Sequence, residues 1–285
     1  MWSFVRSVSL ASLIASSVVS AQLSFVASIQ QAGKDVEVPN LDFIRKPAQG
    51  HRRHASRKHH GYHQDNKAEE RDVTSYSSNW CGASQHTTPS DGISNIIGYF
   101  TVPDLKLRPG IPAPQFAAAW VGIDGAECNS TLLQAGVTTI VNSDGGQSAS
   151  AWWEWYPEAS FTIDGLKVKP GDWMAVNITT KSTTAATIVI TNSQLGTSVT
   201  IQVNNGPKLC RQDAEWLVEE FYDSGKQVAL AQFADLWFVD SEATTVGGKT
   251  IGFDSATMVA LQDDDGKVLC QGEPYDNTNF VIVSK

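Results

Sequence analysis

The chain has 285 residues, 41% of them hydrophobic, and a formal net charge of −9. That is enough apolar material for one large domain or two modest ones, and it excludes a chain too polar to bury a core. Past the N-terminus no apolar run approaches the roughly 20 residues of a membrane span, so the reading is a soluble protein with no membrane partner.

Residues 1–21 have the form of a secretory signal. Arg6 supplies a positive n-region, Val8 to Val19 an apolar h-region, and "VSA" the small residues before cleavage after Ala21. The expected location is therefore secreted and extracellular. Residues 22–71 hold nine Lys/Arg against six acids, with five of the six histidines: His51, His54, His59, His60 and His63. From residue 72 onward there are 11 Lys/Arg and 24 Asp/Glu, so a segment of +3 is joined to a body of −13. A basic arm often reads as a nucleic-acid binder. In an exported chain a propeptide held against an acidic body fits better, and a plain solvated leader is the alternative. Arg52-Arg53, Arg57-Lys58 and Arg71 have the form of processing sites, which puts the mature domain at 72–285.

From Ser75 on, short runs rich in Val, Ile, Thr and aromatics alternate with Gly, Pro, Asn and Asp. They predict strands at 96–102, 117–123, 131–141, 150–156, 172–180, 186–192, 197–203, 250–254 and 280–284. "SQLGTS" reads as the loop of a hairpin between "TIVITN" and "VTIQVN". "DAEWLVEEFYDS" (213–224) reads either as a short helix capped by Asp213 or as a strand. With no βαβ rhythm, the fold class is all-β, an antiparallel two-sheet β-sandwich.

Four cysteines (Cys81, Cys128, Cys210 and Cys270) allow three disulfide connectivities, and no CxxC spacing points to zinc. Asn129 and Asn177 open glycosylation sequons. Beyond residue 71 there is one histidine, His86, and no GxSxG, HExxH, P-loop or dinucleotide fingerprint. "DSG" at 223–225 is half of an aspartic-protease signature with no second half.

Carboxylates and amides are left to carry chemistry. Glu154 is bracketed by Trp152, Trp153, Trp155 and Tyr156, and Glu219 follows Leu217 and Val218. A carboxyl in apolar surroundings is how enzymes tune a general acid or base. Gln134 sits in "STLLQAG", where burial without partners costs on the order of 1–3 kcal/mol. For all three residues the plain alternative is a solvated strand face.

"SNWCGA" (78–83), "AAWVGIDG" (118–125), "LLQAG" (132–136), "WWEWYPE" (152–158) and "LCRQDAEWLVEEF" (209–221) together resemble the eqolisins, the fungal glutamic peptidases. The resemblance implies a jelly-roll or concanavalin-like sandwich of two seven-stranded sheets, made as a zymogen, with substrate lying across one face. It implies a catalytic dyad of Gln134 and Glu219, with Glu220 as the neighbour an alignment slip would choose. Glu219 would take a proton from the attacking water and return it to the leaving amine, while Gln134 would stabilise the oxyanion. Trp120 and Tyr156 would pack on substrate, and Asp124 and Glu154 would orient the dyad or the water. Thr138 and Ser150 depart from the family's best-known member, which has acids at both places. The resemblance also implies a disulfide between Cys128 and Cys210, which leaves Cys81 to Cys270. It calls for no metal, nucleotide or other cofactor, and for a monomer whose partners are protein substrates and its own inhibitory propeptide. Two other readings compete: a lectin-type sandwich binding glycans, and a glycosidase pairing Glu154 with Glu219.

Overall fold

A computed structural model describes residues 22–35, 42–46 and 74–285. The signal-like stretch 1–21, the basic pairs Arg52-Arg53 and Arg57-Lys58, and the boundary near Asp72 lie outside the described residues. No helix among the described residues is long and apolar enough to cross a membrane.

The longer strands fall into two layers. The first is built from β1 (Ser24–Gln31), β4 (Ile93–Thr101), β9 (Trp173–Thr180), β10 (Ala186–Asn192), β11 (Thr197–Asn204) and β13 (Leu236–Thr245). Its antiparallel order is β1–β11–β10–β9–β4–β13. The second contains β2 (Asp42–Lys46), β3 (Trp80–His86), β5 (Gln115–Ile123), β6 (Leu132–Val141), β7 (Gln147–Tyr156) and β8 (Ser160–Asp164). It is completed by β12 (Asp213–Glu219), β14 (Thr257–Gln262), β15 (Val268–Pro274) and β16 (Phe280–Ser284). Its order is β2–β8–β7–β6–β5–β12–β3–β14–β15–β16. Strand β13 pairs with β16 as well as with β4 and so joins the layers at one end. The architecture is all-β, and the one parallel ladder among these strands joins Thr74–Ser77 to β14.

The first layer obeys the two-residue period of a sheet with one dry face. On β10 burial alternates strictly, with Ile188 and Ile190 at 0% exposure between half-buried neighbours. Val176, Ile178, Val199 and Ile201 extend the same surface, each worth about 1.5–3 kcal/mol when buried. They meet Val121, Ala135, Val137, Trp153 and Trp216 of the second layer in one continuous core. "SQLGTS" is the hairpin loop between β10 and β11, as its turn residues predict.

The ambiguous segment is a strand. β12 is laddered on both sides, to β3 and to β5, and those two sets of backbone hydrogen bonds outweigh what one helix cap offers. Asp213 caps nothing; it accepts the Glu127 and Cys128 N–H groups and lies 2.8 Å from His86 Nδ1. Disulfides join Cys128 to Cys210 and Cys81 to Cys270. The first holds the loop after β5 to the approach of β12, and the second ties β3 to β15.

The basic leader holds a surprise. Its residues 24–31 and 42–46 are woven into the two layers, β1 along β11 and β2 along β8.

Candidate active site

Strands β5, β6 and β12 are buried on both faces, which the alternating rule does not predict for a sheet with one solvated side. One face belongs to the core. The other carries a second apolar cluster of Trp80, Trp120, Leu132, Trp152, Leu217 and Phe221. The polar residues of interest lie among these side chains.

Register places them in rows. Glu154 on β7 is opposite Gln134 on β6, which is opposite Gly122 on β5, which is opposite Glu215 on β12. The next row runs Trp152, Gly136, Trp120, Leu217. The third runs Ser150, Thr138, Ala118, Glu219. Directly opposed residues and residues two apart share a face, so Gln134, Glu154, Trp120 and Glu219 all project on this side. Gln134, Glu154 and Glu219 are each at 0% exposure, which removes the solvated-face alternative for all three.

Glu219 is gripped from two directions. Trp120 Nε1 donates to its Oε2 at 3.0 Å, and Asn79 Nδ2 donates to its Oε1 at 3.2 Å. Asn79 is fixed in turn, because the Ser77 hydroxyl donates to Asn79 Oδ1 at 3.1 Å and accepts the Trp80 N–H. Gln134 Nε2 donates to Glu154 Oε2 at 3.0 Å, which orients the amide in its row. The Trp120 indole fits because glycines flank it: a Cβ on Gly122 would lie 2.8 Å from its ring, and one on Gly136 would lie 2.2 Å from the Ala119 carbonyl.

Trp120 is fully buried, with its indole N–H committed to Glu219. Asp124 is placed elsewhere. It follows β5 at φ 68°, a left-handed position that Asp tolerates, and its oxygens accept the N–H groups of Cys210, Arg211 and Gln212 at 2.8–2.9 Å. Burial raises its carboxyl above the usual range even against those three donors. Its task is to hold the Cys210 loop. Glu220 turns away from Glu219's side, where its carboxylate accepts the Leu230 N–H and Gln227 Nε2 beside Arg108. Burial pushes it up to about 7, partly offset by the Leu230 N–H and Arg108. Tyr156 is half-buried at the rim of the aromatic cluster. Asn79 is the residue that composition and spacing did not single out; its only sequence signal is its place in "SNWCGA".

A pocket of about 330 Å³ opens on this face past the Glu219 row, lined by Phe116, Thr138, Ser150, Trp152 and Phe221, with Lys46 and Asp223 its charged residues. Thr138 and Ser150 contribute neutral hydroxyls to its lining. Of the two sequons, Asn129 is exposed, whereas Asn177 Oδ1 accepts from Asn95 at 2.7 Å.

The family model described as Peptidase A4 family matches residues 78–284. The chain belongs to that family. This glutamic-type endopeptidase is 33% identical over 214 residues to aspergillopepsin-2 of Aspergillus niger, covering 69% of this chain and 74% of that one. It is 28% identical over 263 residues to scytalidopepsin B of Scytalidium lignicola, covering 88% and 91%. Among solved structures, scytalido-glutamic peptidase with a transition state analog inhibitor aligns at TM-score 0.64 and 25% identity, over 73% of this peptidase and 98% of that chain. Aspergilloglutamic peptidase from Aspergillus niger aligns at TM-score 0.56 and 34% identity, over 60% and 99%.

Proposed function

We propose that Glu219 and Gln134 are the catalytic pair of this secreted acid endopeptidase. The observation that carries the reading is the Glu219 carboxylate held by two N–H donors on the same buried sheet face as Gln134. As carboxylate, Glu219 takes a proton from the water that attacks the scissile carbonyl. The Gln134 amide N–H stabilises the tetrahedral oxyanion, and loss of such a donor costs about 10²–10³ in rate. Protonated Glu219 then gives its proton to the departing amine. Glu154 orients the Gln134 amide, Trp120 and Asn79 orient Glu219, and Tyr156 packs on substrate at the rim. The sequence needs no cofactor for this.

The test is digestion of a denatured protein at acid pH, with an aspartic-protease inhibitor present. Gln134→Ala and Glu219→Gln each nearly abolish turnover while near-ultraviolet circular dichroism stays native. Digestion that survives both substitutions sinks the pair.

We also read residues 1–21 as the secretory signal and 22–71 as a propeptide of a monomeric zymogen with a jelly-roll body. The charge contrast of +3 against −13 supports a leader whose basic stretch beyond residue 46, where that +3 resides, restrains the body near neutral pH and lets go below about pH 4, where carboxylates protonate. Adding a 22–71 peptide to the processed peptidase at pH 6 lowers its activity; unchanged activity rejects the electrostatic hold.

A further inference from the structure

The two layers are closed unequally. At one end β13 joins them through ladders to β4 and to β16. At the other end the layers finish on β11 and β8, and the strands beyond these come from the leader. Strand β1 pairs all eight of its residues with β11, from Ser24 opposite Asn204 to Gln31 opposite Thr197. Strand β2 pairs all five of its residues with β8, from Asp42 opposite Asp164 to Lys46 opposite Ser160. A bare sheet edge is a row of unpaired N–H and C=O groups that a strand of suitable pattern satisfies.

The pattern is suitable. Along β1, Phe25, Ala27 and Ile29 turn inward while Val26 is 66% exposed. Ile29 is buried, and Phe25, Ala27 and Phe43 pack against the main core. The Phe25 ring sits in an aromatic box, with centroids 4.9 Å from Phe43 and 5.0 Å from both Trp153 and Phe161. Trp153 and Phe161 stack on each other at 4.9 Å. The box thus joins both leader strands to two strands of the second layer. Charge contributes little to this hold, since the paired and buried groups are backbone and apolar rings.

We propose that strands β1 and β2, residues 24–31 and 42–46, are a strand-donating clasp, a ligand of the β11 and β8 edges that stays bound after the chain is cut between residues 47 and 73. Shedding the clasp is then a step separate from cutting, and acid alone does not accomplish it. This inference stands on the ladders and the aromatic box, whether or not the charged part of the leader inhibits the enzyme.

The experiment uses the full chain in a Glu219→Gln background, with a recognition sequence for a site-specific endopeptidase inserted between Gly61 and Tyr62. After complete cutting, size-exclusion chromatography with intact-mass detection is run at pH 6 and at pH 3.5. The N-terminal fragment co-elutes with the body at 1:1 at both values and separates only in denaturant. In the same format, Phe25→Ala with Phe43→Ala loosens the fragment by at least about 100-fold, whereas Val26→Ala with Ile44→Ala, which changes outward-facing residues, leaves it bound. Separation of the fragment from a natively folded body at either pH overturns the clasp. So does equal retention of the inner and outer double variants. Breakdown of the body itself during the run reports instead that Glu219 is not essential, a failure of the catalytic reading rather than of the clasp.

Discussion

Strands β9–β11 and strands β5, β6 and β12 share a sandwich and a core, yet they follow different rules. In the first group each strand has one dry face and one partly wet face, and the buried inward residues are apolar except at strand ends, where Thr180 and Asn192 sit. In the second group both faces are dry, and Gln134, Glu215 and Glu219 are buried on the side away from the core. A fold needs only the first arrangement. Burying carboxylates and an amide costs free energy unless each is held, so the second marks where the molecule has taken on chemistry.

The largest way to test that contrast is to remove the space that the second group reserves. Gly136→Ala places a methyl 2.2 Å from the Ala119 carbonyl and against the Trp120 Cβ, where backbone has to move. The expected result is loss of folded protein, read as secreted yield and thermal unfolding. Ile188→Ala in the first group costs about 2–5 kcal/mol, and it leaves turnover per folded molecule unchanged. If both variants fold equally well, the crowding around Trp120 does not constrain the sheet.

A smaller effect separates holding from folding. Asn79→Ala removes one of the N–H donors that hold Glu219, leaving that of Trp120. It lowers kcat by about 10- to 100-fold with KM nearly unchanged, because the lost bond orients the base rather than the substrate. A rise in KM at constant kcat contradicts that role.

The mildest test concerns pH. Glu215 is fully buried, and burial, then Asp213 and Asp124, raise its carboxyl well above the usual range, partly offset by the Ala126 N–H. In the unfolded chain a glutamate titrates at about 4.3. Below that pH the group is protonated in both states and its contribution to stability is whole. As pH rises toward the higher folded value, only the unfolded chain releases the proton, and stability drains. Glu215→Gln therefore flattens the fall of Tm between pH 4 and pH 7, measured by thermal unfolding across that range. An unchanged slope assigns the loss to other carboxyls, with Asp124, raised by burial, the next to test.

Much of this was legible beforehand. Strand positions follow from runs of β-branched and aromatic residues between turn formers, and the hairpin at "SQLGTS" needed nothing more. The motif that contains Glu219 was visible, and so was the expectation that Glu219 and Glu220 face opposite sides. Other features depended on partners far away in the chain. Whether 213–224 became helix or strand was settled by ladders to β3 and β5, more than 85 residues upstream. The resemblance set Trp120 against substrate, and nothing in its neighbouring residues announced a partner on β12. Only register across three strands showed its N–H aimed at Glu219. Asp124 was drawn from the site by three loop amides that no local pattern announces. The leader's composition displayed its charge, but its alternating Phe25, Ala27 and Ile29 were too few to declare a strand until β11 stood beside them. Local propensity and turn residues determined where most of the strands lie, and the motifs drew attention to Gln134, Glu154 and Glu219. The tertiary structure decided which of those residues meet, because hydrogen bonds across a sheet join residues by register and not by distance along the chain.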